Sequence, residues 1–231
     1  MSSTTLYRLS GLALLIALPI QIIGWIMHPA GERLIDLLSP LQGPAHVVMF
    51  CSWLLVLLGL PGLYVRQAHR AGWLGLASFV LVMYAVAYHF YLLLYEAYPA
   101  PMLARNPATQ ALIVTDGPLA HGAGALGLVG FVLIILAFPL FGIATVRAGV
   151  LPRWAGWLQI ASIPVFFVSM IGLSLILSPD VVDRLPGPLS PIAMQFYLLF
   201  LGYAWGGYAL WIGKQRTPAA TTQLGEPQPA V

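Results

Sequence analysis

GWLGLASFVLVMYAVAYHFYLLLYEAYP, residues 72–99, is the stretch on which the reading of this chain turns. A helix rises about 1.5 Å per residue and needs roughly 20 apolar residues to cross the hydrocarbon of a bilayer. Residues 73–95 meet that length. Two ionisable residues interrupt the apolar pattern, His89 inside it and Glu96 at its far end. Seven residues make about two helical turns, so both share one face. Such groups are costly in lipid, and this face is expected to meet protein. Tyr84, Tyr88, Tyr91 and Tyr95 follow a 4-3-4 spacing and form a second, aromatic stripe beside it.

The composition agrees with a membrane chain. Of 231 residues, 60% are hydrophobic and 7% charged, against about 25% charged in soluble domains. The formal charge of +3 is spread over loops and makes no nucleic-acid surface. Cys51 is the only cysteine, so no intrachain disulfide forms. Residues 1–27 read as a first span rather than a cleaved signal peptide. The apolar run is too long, and no small-x-small cleavage site stands in good context.

Working outward, the pattern predicts an all-α, polytopic membrane protein with spans at 9–27, 45–65, 73–95, 120–146, 154–177 and 192–212. Residues 1–216 are expected to form this six-helix domain, and 217–231, rich in Pro, Ala, Thr and Gln, a disordered cytoplasmic tail. Six crossings place Arg8, Arg66, Arg70, Arg147, Arg153, Lys214 and Arg216 on the side where the chain begins, and Arg33, Arg105 and Arg184 on the other. The positive-inside rule then puts both termini in the cytoplasm of a cell (inner) membrane. Trp25, Trp73, Trp154, Trp157 and Trp211 fall near span ends, as interfacial anchors do.

The chain also reads as three copies of a helical hairpin. The odd helices open alike at Arg8-Leu-Ser-Gly, Arg70-Ala-Gly and Arg153-Trp-Ala-Gly, and close alike at His28-Pro29, Tyr98-Pro99 and Ser178-Pro179. The even helices open at Gly43-Pro44-Ala45-His46, Gly117-Pro118-Leu119-Ala120-His121 and Gly187-Pro188-Leu189-Ser190-Pro191. Proline suits a first helical turn, where its missing N–H is no loss. In the third copy Pro191 replaces the histidine, leaving Met194 and Gln195 as that hairpin's polar candidates. Pro19, Pro61, Pro139 and Pro164 lie within or near spans and are placed to bend them.

On this topology His28, His46, His89 and His121 converge in depth toward the non-cytoplasmic side, with six of the seven carboxylates. Neutral imidazole ligates zinc, copper or iron, including haem iron. The candidate metal ligands are therefore His46, His89 and His121, with an open position for water or substrate. A haem b held by two of them is the rival form, and His89 is its best first ligand. Tyr88 and Tyr95 are candidates to line such a cofactor pocket, and Glu96 and Asp116 to ligate, to orient a histidine or to move a proton. Packing and helix capping explain single histidines and tyrosines equally well, and no HExxH, CxxCH or closely spaced Cys/His set is present.

The expected function is accordingly a membrane redox or metal-dependent protein with a histidine-ligated haem or metal ion near the outer face. The alternatives are a non-catalytic subunit of a larger membrane complex, or a protein that binds or transports a lipid or quinone. The expected partners are membrane lipids, a hydrophobic ligand such as a quinone and a larger membrane complex, with no nucleic acid. Whether the protein is an enzyme is left open by the residues.

Overall fold

The computed structural model describes residues 3–31, 33–113, 117–119, 124–182 and 184–213. The 217–231 tail therefore lies outside the described residues, as do Asp116 and His121. The described chain is all-α. Its long helices are α1 (Ser3–Met27), α3 (Gln42–Ala97), α5 (Gly124–Ala148), α6 (Arg153–Ile176) and α8 (Pro191–Trp211). Short helices α2 (Leu34–Leu37), α4 (Pro99–Arg105) and α7 (Pro179–Val182) sit in the connections. Single 3₁₀ turns add Gln110–Leu112 and Gly187–Leu189.

Four helical stretches, Thr4–Met27, Gln42–Arg105, Gly127–Ala148 and Arg153–Ile176, are long and apolar enough to cross a membrane. These make a multi-pass membrane protein the reading of the chain. Helix α8 is not among the four. Its 21 residues include tyrosines, tryptophans and three glycines, which lower its hydropathy.

Helix α3 is not one rod. At Gly72 the backbone takes φ 57° and ψ −151°, a region that essentially only glycine tolerates. The limbs on either side, 42–71 and 73–97, fold back against each other. Tyr64 stacks on Phe79 with ring centroids 4.5 Å apart, Trp53 on His89 at 4.1 Å, and Phe50 meets Phe90 at 4.9 Å. Partner numbers fall on one limb as they rise on the other, which is the signature of an antiparallel pair. The sequence reading placed a loop over residues 66–72. Instead the helix continues to residue 71 and the reversal is concentrated at one glycine.

The helices close a ring in which α1 packs on α3 and α8, α3 on α5, α5 on α6, and α6 on α8. Glycines let backbones meet within it. A Cβ on Gly142 of α5 would stand 2.6 Å from the Gly156 carbonyl oxygen of α6, and one on Gly207 of α8 2.7 Å from the Gly11 oxygen of α1. Small residues at helix contacts are the usual means of association where apolar burial gives no drive.

Polar residues are buried beside the large apolar core that includes Leu14, Trp53, Leu60, Phe138 and Phe200. Ser10, Gln21, Ser52, Gln67, Thr145, Gln159 and Ser162 are all buried. Ser52 donates to the Ala17 carbonyl at 2.9 Å, and Gln67 donates to Thr145 Oγ1 at 3.1 Å. At the end of the ring carrying His28 and Glu96, a small second core of Leu37, Ala100, Ala104 and Ile113 ties α2, α4 and the connection after α4 together. The Arg33–Asp36 ion pair, 2.7 Å long, fixes the start of α2.

Four of the five expected anchors, Trp73, Trp154, Trp157 and Trp211, are exposed. Trp25 corrects the expectation: it is buried, because it lies on the α1 face that carries Gln21 and turns inward.

Candidate functional site

Helical periodicity assembles the site. Gln21 and Trp25 on α1 and His28 just past its end recur at i, i+4, i+7, and Gln42, His46, Met49 and Trp53 at i, i+4, i+7, i+11 on the first limb of α3. His89 and Glu96 share a face of the second limb. All nine line one cavity of about 580 Å³ at that end of the ring. Helices α5, α6 and α8 complete it with Phe131, Ile134, Ile163, Phe166, Gln195 and Phe196. Pro29–Gly31 and the turn at Gly187 form its roof, and a Cβ on Gly187 would stand 2.7 Å from the His28 carbonyl oxygen.

The histidines are held at Nδ1. His46 Nδ1 is 2.7 Å from the Gln42 carbonyl oxygen, His89 Nδ1 2.8 Å from that of Ala85, and His28 Nδ1 2.7 Å from that of Pro29. A carbonyl only accepts, so each ring donates from Nδ1. The His28 and His46 rings lie 4.9 Å apart. His89 is stacked on Trp53, with Phe196 edge-on at 5.3 Å. Glu96 is buried and accepts from Gln42 Nε2 at 3.0 Å.

Four polar atoms of the cavity wall are buried with no hydrogen-bond partner among the described residues: Gln21 Oε1, Trp25 Nε1, Gln42 Oε1 and Gln195 Nε2. They come from three different elements and include both donors and acceptors. An orphaned polar atom of this kind costs about 1–3 kcal/mol. A ligand with complementary groups recovers that cost. The rest of the wall is largely aromatic and aliphatic, the usual makeup of an organic-ligand site, and the volume lies within the roughly 300–1,000 Å³ of such sites.

Of the residues singled out from sequence, His46, His89, Glu96 and Tyr88 meet in this cavity, joined by His28 and Gln195. Tyr95 does not line it. Its hydroxyl donates to the Leu119 carbonyl oxygen, and its ring packs on the small second core. Met194 also stays outside the lining. Among the described residues, no three His, Cys, Asp or Glu side chains are grouped closely enough to hold a metal ion. Gln21, Trp25, Gln42 and Trp53 were missed from sequence. The signal was present in the i, i+4, i+7 spacing of polar and aromatic residues within otherwise uniform apolar runs.

No protein-family model, curated protein or solved structure matches this chain.

Proposed function

We propose that this membrane protein binds a lipophilic organic ligand whose head carries carbonyl or hydroxyl groups, of the quinone class, in the cavity between His28, His89 and Gln195. One observation carries the reading: a mainly apolar cavity whose wall holds four buried, unpartnered polar atoms on three elements. Trp25 Nε1 and Gln195 Nε2 offer protons to ligand carbonyls, and Gln21 Oε1 and Gln42 Oε1 accept from ligand hydroxyls. Glu96 and the Nε2 atoms of His46 and His89 are the wall's proton-exchanging groups.

A wider topology accompanies this proposal. In it the reversal at Gly72 would divide α3 into two crossings and α8, which packs on α1 and α6, would add another, for six in all. Each crossing then neighbours the next around the ring, as three successive hairpins would. The loop arginines keep their bias toward the end opposite the cavity, which supports a topology with both termini in the cytoplasm and the site toward the outer leaflet of a cell membrane.

The direct test is a titration of the full-length protein in detergent with a tail-less benzoquinone, read by tryptophan fluorescence, since Trp25 and Trp53 line the cavity. Saturable quenching is expected, weakened about 3–10-fold by Gln195→Leu through one lost hydrogen bond. Non-saturable quenching, equal in both proteins, would contradict the reading.

The proximity of the His28 and His46 rings favours a second reading, in which their Nε2 atoms ligate a metal ion or a haem iron. A Soret band or a stoichiometric metal that disappears in His46→Ala would establish it in place of the first.

A further inference from the structure

Helix α6 changes its relation to the ring partway along. Its buried residues are Ala155, Gly156, Gln159, Ser162 and Ile163. Over that segment it lies against α5 and α8 through close backbone contacts, with Gly142 and Gly156 facing each other and a Cβ on Gly202 only 2.8 Å from the Ala155 oxygen. Pro164 follows immediately. A proline inside a helix removes one backbone hydrogen bond and clashes with the preceding turn, which favours a bend there. Beyond it no residue of α6 is buried. Leu175 and Ile176 are each 81% exposed, and nothing stands within 4 Å of a Cβ on Gly172.

The departure of α6 coincides with the cavity. The lining continues from the polar wall at Gln195 to Ile192 on α8, to Phe131 and Leu128 on α5 and to Phe166 on α6. Ile192, Phe131 and Leu128 belong to the exposed hydrophobic surface of the ring as well as to the cavity. One continuous wall thus runs from buried hydrogen-bonding groups to the face that meets lipid. No ionisable residue lies along the outward half of this path on α6, from Pro164 to Ile176.

We propose that this is a lateral portal: the ligand enters from the bilayer between α5, the outer half of α6 and α8, and leaves its tail in that opening while its head reaches Gln195 and Trp25. The inference rests on the ligand-binding reading above and deepens it by naming the class. The ligand is a long-tailed, membrane-dissolved amphiphile and not a compact water-soluble molecule arriving through the roof. The bend at Pro164 is what keeps the portal open. Below it, the glycine contacts of α6 seal the ring.

The test uses the full-length protein in phosphatidylcholine vesicles and a benzoquinone whose ten-carbon tail ends in a photoreactive diazirine. A decyl diazirine without the quinone head serves as control. After illumination, peptides are mapped by mass spectrometry. The portal predicts labelling concentrated on residues 128–135, 164–173 and 192, enriched at least fivefold over the headless control and reduced by Gln195→Leu. Labelling spread over all lipid-facing helices as in the control overturns the portal. So does labelling confined to the roof at Pro29–Gly31. The tail-less quinone separates the two claims. If it still quenches saturably, head binding stands and the portal alone is wrong; if it does not, both fall together.

Discussion

Glu96 shows what a single side chain does here. It sits at the end of an apolar helix, buried, with Gln42 donating to it at 3.0 Å across 54 residues of chain. That contact ties the opening of the first α3 limb to the close of the second, at the rim of the cavity. Replacing the donor with an apolar side chain removes a buried hydrogen bond to a carboxyl group, worth about 1–3 kcal/mol. Gln42→Leu should therefore lower the melting temperature of the detergent-solubilised protein, while Glu96→Gln, which keeps a hydrogen-bonding head, should lower it less. Equal effects, or none, would mean the contact does not hold the limbs together. That His89 and Glu96 turn away from lipid into the protein was readable from sequence, because an ionisable residue in an apolar run is conspicuous. Gln21 and Trp25 were less so, since a lone amide or indole in a span looks like tolerated variation or an interfacial anchor. Only their common face, shared with His28, distinguishes them.

Helix α3 and helix α6 make the contrast between a turn that glycine permits and a bend that proline imposes. At Gly72 no side chain is near, so the constraint is purely on backbone conformation. Gly72→Val should cost about 1–3 kcal/mol by strain alone, seen as a lower melting temperature. Gly172→Ala, in the open outer half of α6, meets nothing within 4 Å and should be neutral or stabilising by up to about 1 kcal/mol. If Gly72→Val melted like the parent, the reversal at residue 72 would be wrong. The apolar lengths of the helices were readable from composition, because chain length against bilayer thickness is a strong constraint. The compactness of the turn was not. Arg66 and Arg70 look like loop residues, yet helix continues through both up to the glycine. Which face of each helix packs inward was equally hidden, since lipid and protein interior are alike apolar and hydrophobic periodicity carries no direction there.

The molecule as a whole is a ring of helices with a largely apolar cavity at one end and close glycine contacts at the other. The gathering of histidines in depth was expected from topology, and three of them do meet, with Glu96, around about 580 Å³. What depth could not give was position in the plane of the ring. That depends on helix order and rotation, and those are set by glycine contacts such as Gly11–Gly207 rather than by any run of sequence. Tyr95 illustrates the point: it shares the stripe of Tyr88, yet its hydroxyl donates to the Leu119 carbonyl oxygen and its ring packs on the small second core, while Glu96 beside it lines the cavity. The measurement that tests the central claim most directly is made on protein purified in mild detergent from its native membrane. An absorption spectrum, reduced minus oxidised, is recorded with elemental analysis and mass spectrometry of an organic extract from the same sample. The account predicts a long-tailed carbonyl- or hydroxyl-bearing lipid in near-stoichiometric amount, reduced in Gln195→Leu, with no Soret band and no bound metal. A Soret band or a stoichiometric metal, or an extract holding only bulk phospholipid, would contradict it.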